Sequence, residues 1–341
     1  MPLSFPSSPS VNQTSTQNGR TYKWTGSVWE FVSSGGGGSG LSWSSVPASA
    51  TASGTAGQIA YDANYFYVAV GNSQWERAAL STWGPVTSIA GLQLWLDAGD
   101  AGSMYDATSG GSLVAADGAV ARWEDKSGNN RHATQGTSGS RPLRKASVQG
   151  GRDVLRFDGT SDFMTVPSSA AAFTFLHSAQ ATVFVVVKVT DQADGIENVV
   201  IDTNGGDTLL RGYNLSWQAT SDAVYAFVTN GGSRSAWGTH NNAFTPGGFS
   251  LTTVITDITN GTAVDRTKMR KNGGSPIAGD NIYTNNGSSS DSTYDMSLGR
   301  GNGGAGHVNG DIAEIIIYDS ALSDTDRASV ENFLISKWHI T

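Results

Sequence analysis

The segment 307–338, near the end of this 341-residue chain, constrains the fold more than any other stretch. Residues 312–318 form its most apolar run, with Glu314 as the one charged side chain inside it. Strict alternation along a strand predicts two apolar faces, with Ala313, Ile315 and Ile317 on the first and Ile312, Ile316 and Tyr318 on the second. A strand that is apolar on both faces lies inside a layered structure.

The period of the sequence then changes from two to 3.6. Ser323 is a favourable N-cap residue, and Asp324 and Asp326 would lie in the positive first turn of the helix that follows. One apolar stripe is expected on that helix, formed by Val330, Phe333, Leu334 and Trp338. Such a stripe predicts a helix that packs on a sheet. Upstream of it the chain is expected to be β throughout.

The composition excludes several classes of protein. Charged residues are 15% of the chain, the net charge is −8, and lysine and arginine total only 21, which argues against a nucleic-acid partner. Cysteine is absent, so neither disulfides nor thiolate metal sites are expected. The first residues lack the features of a signal peptide, and no apolar run approaches the roughly 18 residues of a membrane span. We therefore expect no membrane insertion.

The N-terminal quarter of the chain differs in composition from the rest. Its pattern predicts an extended arm at 1–17, a β-hairpin module at 18–34, a Gly/Ser-rich linker at 35–56, a second β-hairpin module at 57–85, and then one large domain at 86–341. Six aromatic residues of these small units are candidate assembly residues: Tyr22, Trp24, Trp29, Trp43, Tyr67 and Trp75. A lone hairpin is marginally stable in water. These residues therefore either dock on the large domain or, as we expect, are buried between copies or against another protein.

The stretches 4–32 and 57–78 resemble short modules found near the N-termini of tailed-phage structural proteins, the second of a type frequent in cyanophages. The second departs from that pattern at Ala69, where cysteine is common. The resemblance implies a component of a virion, with other virion structural proteins as partners. It also fits a homo-oligomer, with a trimer favoured, that is assembled in the host cytoplasm without a signal peptide.

Four stretches of the large domain, 92–98, 123–130, 155–162 and 310–318, resemble the concanavalin-A-like lectin/glucanase superfamily in its laminin-G-like form. The resemblance implies a mainly β fold, namely a two-sheet antiparallel jelly-roll sandwich with one C-terminal helix, preceded here by the arm and the hairpin modules. Proteins with this fold often bind glycans or other proteins, but function varies widely on it.

The sequence gives little support to catalysis. Glycoside hydrolases of this superfamily usually carry acids that alternate on one strand, and no such run is present. Glu314 is the one acid to watch, because burial would raise its pKa, but a structural role is the expected one. No zinc or serine-hydrolase motif is found. We expect no enzyme.

Calcium is the one cofactor that the sequence suggests. Asp125, Ser127 and Asn129 place oxygen ligands at alternate positions around a glycine, as a calcium loop can. The alternative is an Asx turn, in which these side chains bond nearby amides. The turn at 158–162 poses the same choice.

Candidate glycan-binding residues lie where aromatic and amide side chains cluster, at Tyr213, Trp217, Trp237 and Asn241. The alternative is that the aromatic residues belong to the core.

Our leading hypothesis is a bacteriophage virion structural protein, a tail or head fibre or another appendage. Its N-terminal segment would anchor it, and the jelly roll would bind a host-surface glycan or a virion protein. The alternatives are a stand-alone carbohydrate-binding module and a glycoside hydrolase.

Overall fold

A computed structural model of the chain, mainly β, describes residues 5–17, 20–34, 42–61, 65–79, 84–190, 197–205, 211–218, 223–231, 234–241, 243–277 and 287–341. The chain divides into two compact units, 1–83 and 84–341. This boundary lies next to the one that the sequence suggests, at 85/86. The two units are described in turn.

Unit 1 consists of two small sheets. The first is antiparallel and contains β1 (Thr14–Gln17), β2 (Arg20–Trp24) and β3 (Trp29–Ser34). The second contains β4 (Ser42–Trp43), β5 (Gln58–Tyr61), β6 (Tyr65–Gly71) and β7 (Gln74–Ala79), with β4 parallel to β5. Both expected hairpins are present, as β2–β3 and β6–β7. Within the described parts of the predicted arm and linker, β1 and β4 each extend a sheet, which their composition does not predict.

Unit 2 is a β-sandwich. Its strands are β8 (Leu92–Asp97), β9 (Met104–Tyr105), β10 (Arg122–Trp123), β11 (Ala133–Thr134), β12 (Leu143–Gln149), β13 (Arg152–Asp158), β14 (Met164–Val166), β15 (Gln180–Val189), β16 (Asn198–Asp202), β17 (Arg211–Gln218), β18 (Ala223–Asn230), β19 (Arg234–His240), β20 (Ser250–Asp257), β21 (Thr267–Lys271), β22 (Met296–Leu298) and β23 (Asn309–Tyr318). Its helices are α1 (Pro85–Ser88), α2 (Phe175–Ser178) and α3 (Asp324–Trp338).

The strands form two antiparallel sheets. The front sheet has nine strands in the order β19-β18-β17-β16-β22-β14-β11-β10-β9. The back sheet has seven, in the order β12-β13-β23-β15-β20-β21, with β8 also paired to β23. The main core lies between the sheets and includes Leu94 and Val185 from the back sheet and Trp123 and Leu215 from the front sheet, all fully buried. This architecture confirms the predicted sandwich.

Helix α3 adds a third layer on the other face of the back sheet. Ser323 caps it, because its Oγ accepts a hydrogen bond from the Asp326 N–H at 3.1 Å. The stripe packs as the sequence predicts: Leu334 and Trp338 are fully buried against Phe184 and neighbouring side chains of the back sheet. No helix in the described ranges is long and apolar enough to cross a membrane.

The central strand β23 departs from strict alternation. Its register with β15 shifts where Ile312 faces Val187 and Glu314 faces Val186, which leaves Ala313 as the extra residue of a β-bulge. Ile312 therefore lies in the core between the sheets, and Ala313 lies on the helix side. The predicted faces of these two residues are wrong for this reason.

Candidate functional site

The outward face of the front sheet carries one continuous row of side chains, which we call the polar row. Cross-strand pairing links one residue from each of its nine strands: Tyr105, Arg122, Thr134, Thr165, Ser297, Asp202, Asn214, Phe227 and Trp237. Six of the nine positions carry a polar side chain other than tyrosine, and aromatic residues stand at both ends. The row runs across the whole sheet on the face turned away from the core.

Alternation along the strands explains why this face is polar. On β17, Leu215 lies in the core, whereas its neighbours Asn214 and Ser216 lie on the outward face. On β22, Met296 and Leu298 likewise point into the core on either side of Ser297. The apolar positions thus build the sandwich, and the intervening positions carry polar side chains, although Asn214, Ser216 and Ser297 are themselves buried.

Asp202 anchors the middle of the row. Its carboxylate accepts hydrogen bonds from the Asn302 N–H at 2.7 Å, the Gly205 N–H at 3.0 Å, and both Asn204 N–H and Asn214 Nδ2. Burial raises the pKa of Asp202, although these hydrogen bonds act in the opposite direction. The carboxylate therefore holds the loop at 301–306 against the front sheet.

Two buried oxygens in the row have no hydrogen-bond partner among the described residues, Ser297 Oγ and Asn214 Oδ1. Unpartnered hydroxyls also occur on the back sheet, at Thr252 and Thr256, so such an atom does not by itself mark a site. What distinguishes the front face is the number of polar side chains that its register places side by side. Tyr105, Thr134 and Thr165 are half-buried and thus accessible from outside.

The charged and aromatic members near the row are held in place by their neighbours. The Arg122 guanidinium lies 4.2 Å from the centre of the Tyr105 ring and pairs with Glu124 at 3.1 Å. Towards the opposite edge of the sheet, where β18 pairs with β17, the Tyr225 hydroxyl donates to Gln218 Oε1 at 2.8 Å. Fixed side chains of this kind lose little conformational entropy when a ligand binds.

The predicted glycan-binding residues need correction. Tyr213 and Trp217 are fully buried in the core between the sheets and cannot stack on a sugar, because alternation on β17 turns them inward. Trp237 occupies the last position of the polar row, but its side chain lies outside the described residues. Asn241 is exposed in the turn after β19. For Tyr213 and Trp217 the alternative holds, namely that the aromatic residues belong to the core.

The candidate calcium residues form a hydrogen-bonded turn. The Asp125 carboxylate accepts from the N–H groups of Trp95, Ser127 and Arg131 at 2.9–3.0 Å and from the Ser127 hydroxyl at 2.8 Å. Asn129 turns its amide nitrogen inward and donates to the backbone oxygens of residues 92 and 93. These are the contacts of the Asx-turn alternative. Within the described ranges no three His, Asp or Glu side chains are grouped as a metal site. Calcium binding itself stays a prediction.

The turn at 158–162 is hydrogen-bonded in the same way. The Asp158 carboxylate accepts from the N–H groups of Thr160, Ser161 and Asp162 at 2.8–3.0 Å. Burial together with the charge of Asp158 raises the pKa of Asp162 to about 6. The turn joins β13 to β14.

Glu314 lies beneath helix α3 and is fully enclosed. Its carboxylate accepts from the indole N–H groups of Trp95 at 2.7 Å and Trp338 at 2.5 Å, and it pairs with Lys337 at 2.7 Å. Lys337 also contacts Asp97 at 2.6 Å. Burial raises the pKa of Glu314. The surroundings leave no room for a substrate, so this acid joins the helix to the back sheet.

The candidate assembly residues are partly covered within unit 1. Phe5 of the arm stacks on Trp29 with ring centres 5.0 Å apart and meets Tyr22 edge-on at 5.1 Å. Trp29 is also 5.6 Å from Trp24. In the second sheet Tyr67 and Trp75 are buried, at 8% and 7% exposure. The Trp43 side chain lies outside the described residues. The expectation that these small units have no internal cover is thus wrong for Tyr67 and Trp75.

A groove of about 650 Å³ lies elsewhere, beside the edge strand β21 of the back sheet. Its lining includes Ile255, Lys268, Arg270 and Leu322. None of the residues that line it belongs to the polar row. It has the size of a small-molecule site, and Thr267 and Asp324 add further polar groups to its walls.

Comparisons with known proteins give similarity in structure only. No family model matches the sequence, and no curated protein matches it. Among solved structures, the CBM40 of the Ruminococcus gnavus IT-sialidase, bound to alpha2,3 sialyllactose, is 19% identical with a TM-score of 0.42, covering 55% of this chain and 97% of that one. A Trypanosoma rangeli sialidase is 13% identical with a TM-score of 0.47, covering 83% and 45%.

The binding domain of Botulinum neurotoxin serotype D is also 13% identical with a TM-score of 0.47, covering 74% of this chain and 53% of that one. The chain thus spans about half the length of the last two proteins. The sandwich in the structure itself confirms the fold expected from the lectin-like resemblance. None of these three proteins is a phage component, and the virion role stays a prediction.

Proposed function

We propose that this chain is a carbohydrate-binding protein whose ligand lies at the accessible end of the polar row, between Tyr105 and Thr165. The observation that carries the proposal is the register of this end, which places the half-buried side chains of Tyr105, Thr134 and Thr165 side by side on the outward face. Saccharides are bound by such combinations, because their hydroxyls need hydrogen-bond partners and their apolar ring faces stack on aromatic side chains. The proposed role is non-catalytic, since Asp202, Asp158 and Glu314 are held by structural hydrogen bonds.

The test uses the full chain on a glycan array, followed by titration calorimetry with the saccharides that bind. Thr134→Val and Thr165→Val each remove one accessible hydroxyl from the row and keep the shape of the side chain. Each is expected to weaken binding about 2- to 10-fold, because a neutral hydrogen bond contributes roughly 0.5–1.5 kcal/mol. Thr325→Val, on the exposed side of α3, is the matched control and should leave affinity unchanged. No saccharide binding, or equal loss in all three variants, would contradict the proposal.

We further propose that unit 1 attaches this module to a larger assembly, of which a phage fibre or other appendage is the expected kind, with the virion as its location. The supporting observation is the distribution of exposed apolar side chains. Of the eight large apolar side chains that are well exposed in the described part, five lie in unit 1: Val11, Val28, Val46, Tyr61 and Val70. Unit 1 has 83 residues, about a quarter of the chain. Apolar groups concentrated on so small a unit favour a protein–protein contact.

Analytical ultracentrifugation of the full chain tests this second role. A homo-oligomer, with a trimer favoured, is expected for the unmodified protein. Val28→Asp and Val70→Asp, at 53% and 52% exposure, should shift the population towards monomer without unfolding either unit. Val264→Asp, at 61% exposure in unit 2, is the control and should leave the oligomer intact. A protein that is monomeric at every concentration tested would count against self-assembly.

A further inference from the structure

Arg300 is an unusual arginine on the outward face of the front sheet. Its guanidinium carbon lies 3.5 Å from the centre of the Phe163 ring, so the cation is stacked on the aromatic face. Both side chains are half-buried. The stack fixes the plane of the guanidinium and leaves its edge as the direction for further hydrogen bonds.

Within the described part of the chain, Arg300 has no ion pair and no hydrogen bond, and its Nε is buried. Every other arginine whose side chain is described donates at least one hydrogen bond to a protein oxygen. These are Arg122, Arg131, Arg141, Arg144, Arg152, Arg156, Arg211, Arg266, Arg270 and Arg327. In a chain with an excess of acidic residues, a partly buried arginine without an acceptor calls for an explanation.

Leaving this cation unpaired has a free-energy cost. A guanidinium taken out of water loses hydration, and this is normally offset by a carboxylate or by carbonyl oxygens. Desolvation lowers the pKa of Arg300, and no nearby carboxylate counteracts it. An anionic ligand would supply the missing acceptor oxygens.

The position of the pair relates it to the polar row. Phe163 is two residues before Thr165 and so lies on the same face of the sheet. Arg300 follows Ser297 by three residues, after β22 ends and Gly299 turns the chain with a φ of +83°. The cation therefore stands beside the middle of the row, next to Thr165 and Ser297, which are paired across the strands.

We propose that Arg300, supported by Phe163, receives the carboxylate of an acidic saccharide, while the polar row binds hydroxyls of the same molecule. This rests on the proposed carbohydrate-binding function. A planar carboxylate matches the edge of a guanidinium and can accept two parallel hydrogen bonds from it. The carboxylate of such a ligand would form an ion pair with Arg300 and accept hydrogen bonds from its free N–H groups.

The test compares three saccharides of one size in calorimetry with the full chain: an acidic one, the same compound with its carboxyl group reduced to an alcohol, and a sulfated analogue. The unmodified protein should bind the acidic compound about 10- to 100-fold more tightly than the reduced one, because charge-assisted hydrogen bonds contribute roughly 1.5–3 kcal/mol. Arg300→Met should abolish this preference. Arg300→Lys should retain part of it.

Arg270→Met is the matched control, since it removes one positive charge from the back sheet. Its preference for the acidic compound should equal that of the unmodified protein. Equal affinity for the acidic and reduced compounds, or an unchanged preference in Arg300→Met, would overturn the role of Arg300 and leave the proposed function standing. Sulfate binding as tight as carboxylate binding would overturn the choice of carboxylate. If no saccharide of any class binds, the proposed function itself fails.

Thermal unfolding of the same variants gives a readout that does not depend on a ligand. An arginine with only a structural role would lower stability when replaced by methionine. Replacing an unpaired cation that serves a ligand should not lower stability. Arg300→Met is therefore expected to unfold at the same temperature as the unmodified protein or slightly above it. A loss of several degrees would assign Arg300 to the fold instead.

Discussion

The buried carboxylate of Glu314 offers the most direct test of how helix α3 is held on the back sheet. It accepts hydrogen bonds from two indole N–H groups and pairs with Lys337, and the side chain is 0% exposed. Glu314→Ala would leave the Trp95 and Trp338 donors without an acceptor in an interior that water does not reach. It would also leave Lys337 with Asp97 as its one remaining carboxylate contact in the described part.

The expected loss is about 3–5 kcal/mol of unfolding free energy, the range found when one partner of a buried ion pair is removed. Glu314→Gln keeps one oxygen acceptor but turns an NH₂ group towards other donors, and we expect roughly 1–3 kcal/mol for it. For a unit of this size, the larger loss lowers Tm by roughly 6–20 °C. The unfolding transition of unit 2 can be followed by calorimetry on the full chain.

Asp265→Asn is the control, because the Asp265–Lys268 pair is exposed at the surface and should contribute less than about 1 kcal/mol. Hydrogen exchange adds a local readout, since protection in α3 should fall further than protection in the front sheet. If both Glu314 variants unfold within about 0.5 kcal/mol of the unmodified protein, or if Asp265→Asn costs as much, the anchoring role is wrong. A Glu314→Gln/Lys337→Met double variant should lose less than the sum of its parts, because each single change strands the other group.

Two further changes test local features. The pKa of Asp162 is raised to about 6 in the folded chain. Between about pH 4 and 6 this carboxyl group is therefore protonated in the folded chain and ionised in the unfolded chain. The free energy of unfolding should fall as the pH rises through this window. Asp162→Asn should remove that slope in a pH series of unfolding curves and keep full stability at pH 7, where the repulsion by Asp158 is gone; an unchanged slope would refute the assignment. In unit 1, Gly54→Ala would place its Cβ 2.6 Å from Trp75 Nε1, and proteolysis of the second sheet should accelerate. Gly261→Ala, with no atom within 4 Å, is the control, and equal proteolysis rates would exclude a role for this contact.

The sequence predicted those elements in which one periodic pattern of apolar residues continues over many positions. The C-terminal strand and helix are present with the expected cap and stripe, because local propensity and tertiary packing agree there. The faces of Ile312 and Ala313 were not predictable, since a bulge is set by the pairing of β23 with β15 and not by the strand's own pattern. The order in β1 and β4 was missed for a related reason: each is stabilised by a neighbouring strand.

The polar row could not be derived from the sequence as a whole, but part of it was visible. Its strands β9, β10 and β11 have two residues each, too few to show a period, and their register depends on pairing across large sequence distances. On β17, however, Tyr213, Leu215 and Trp217 alternate with Asn214 and Ser216, which is the pattern of a half-buried strand. This pattern favours the alternative that places the large aromatic residues in the core, and it puts the small polar residues on the outward face, where Asn214 and Ser216 are buried as well.

The two sheets of the sandwich differ in whether the charged side chains that they bury have a partner of opposite charge. On the back sheet, the buried charges Glu314 and Asp97 are both paired with Lys337, and the outer layer that they hold in place is apolar. On the front sheet, Arg300 lies half-buried beside the row, and no residue in the described part of the chain accepts a hydrogen bond from it. A fold tolerates such a group only where other contacts supply the stability, and the helix layer on the far side of the molecule is one source of them. The unpaired charge is therefore the reason why we propose the front face as the ligand-binding one.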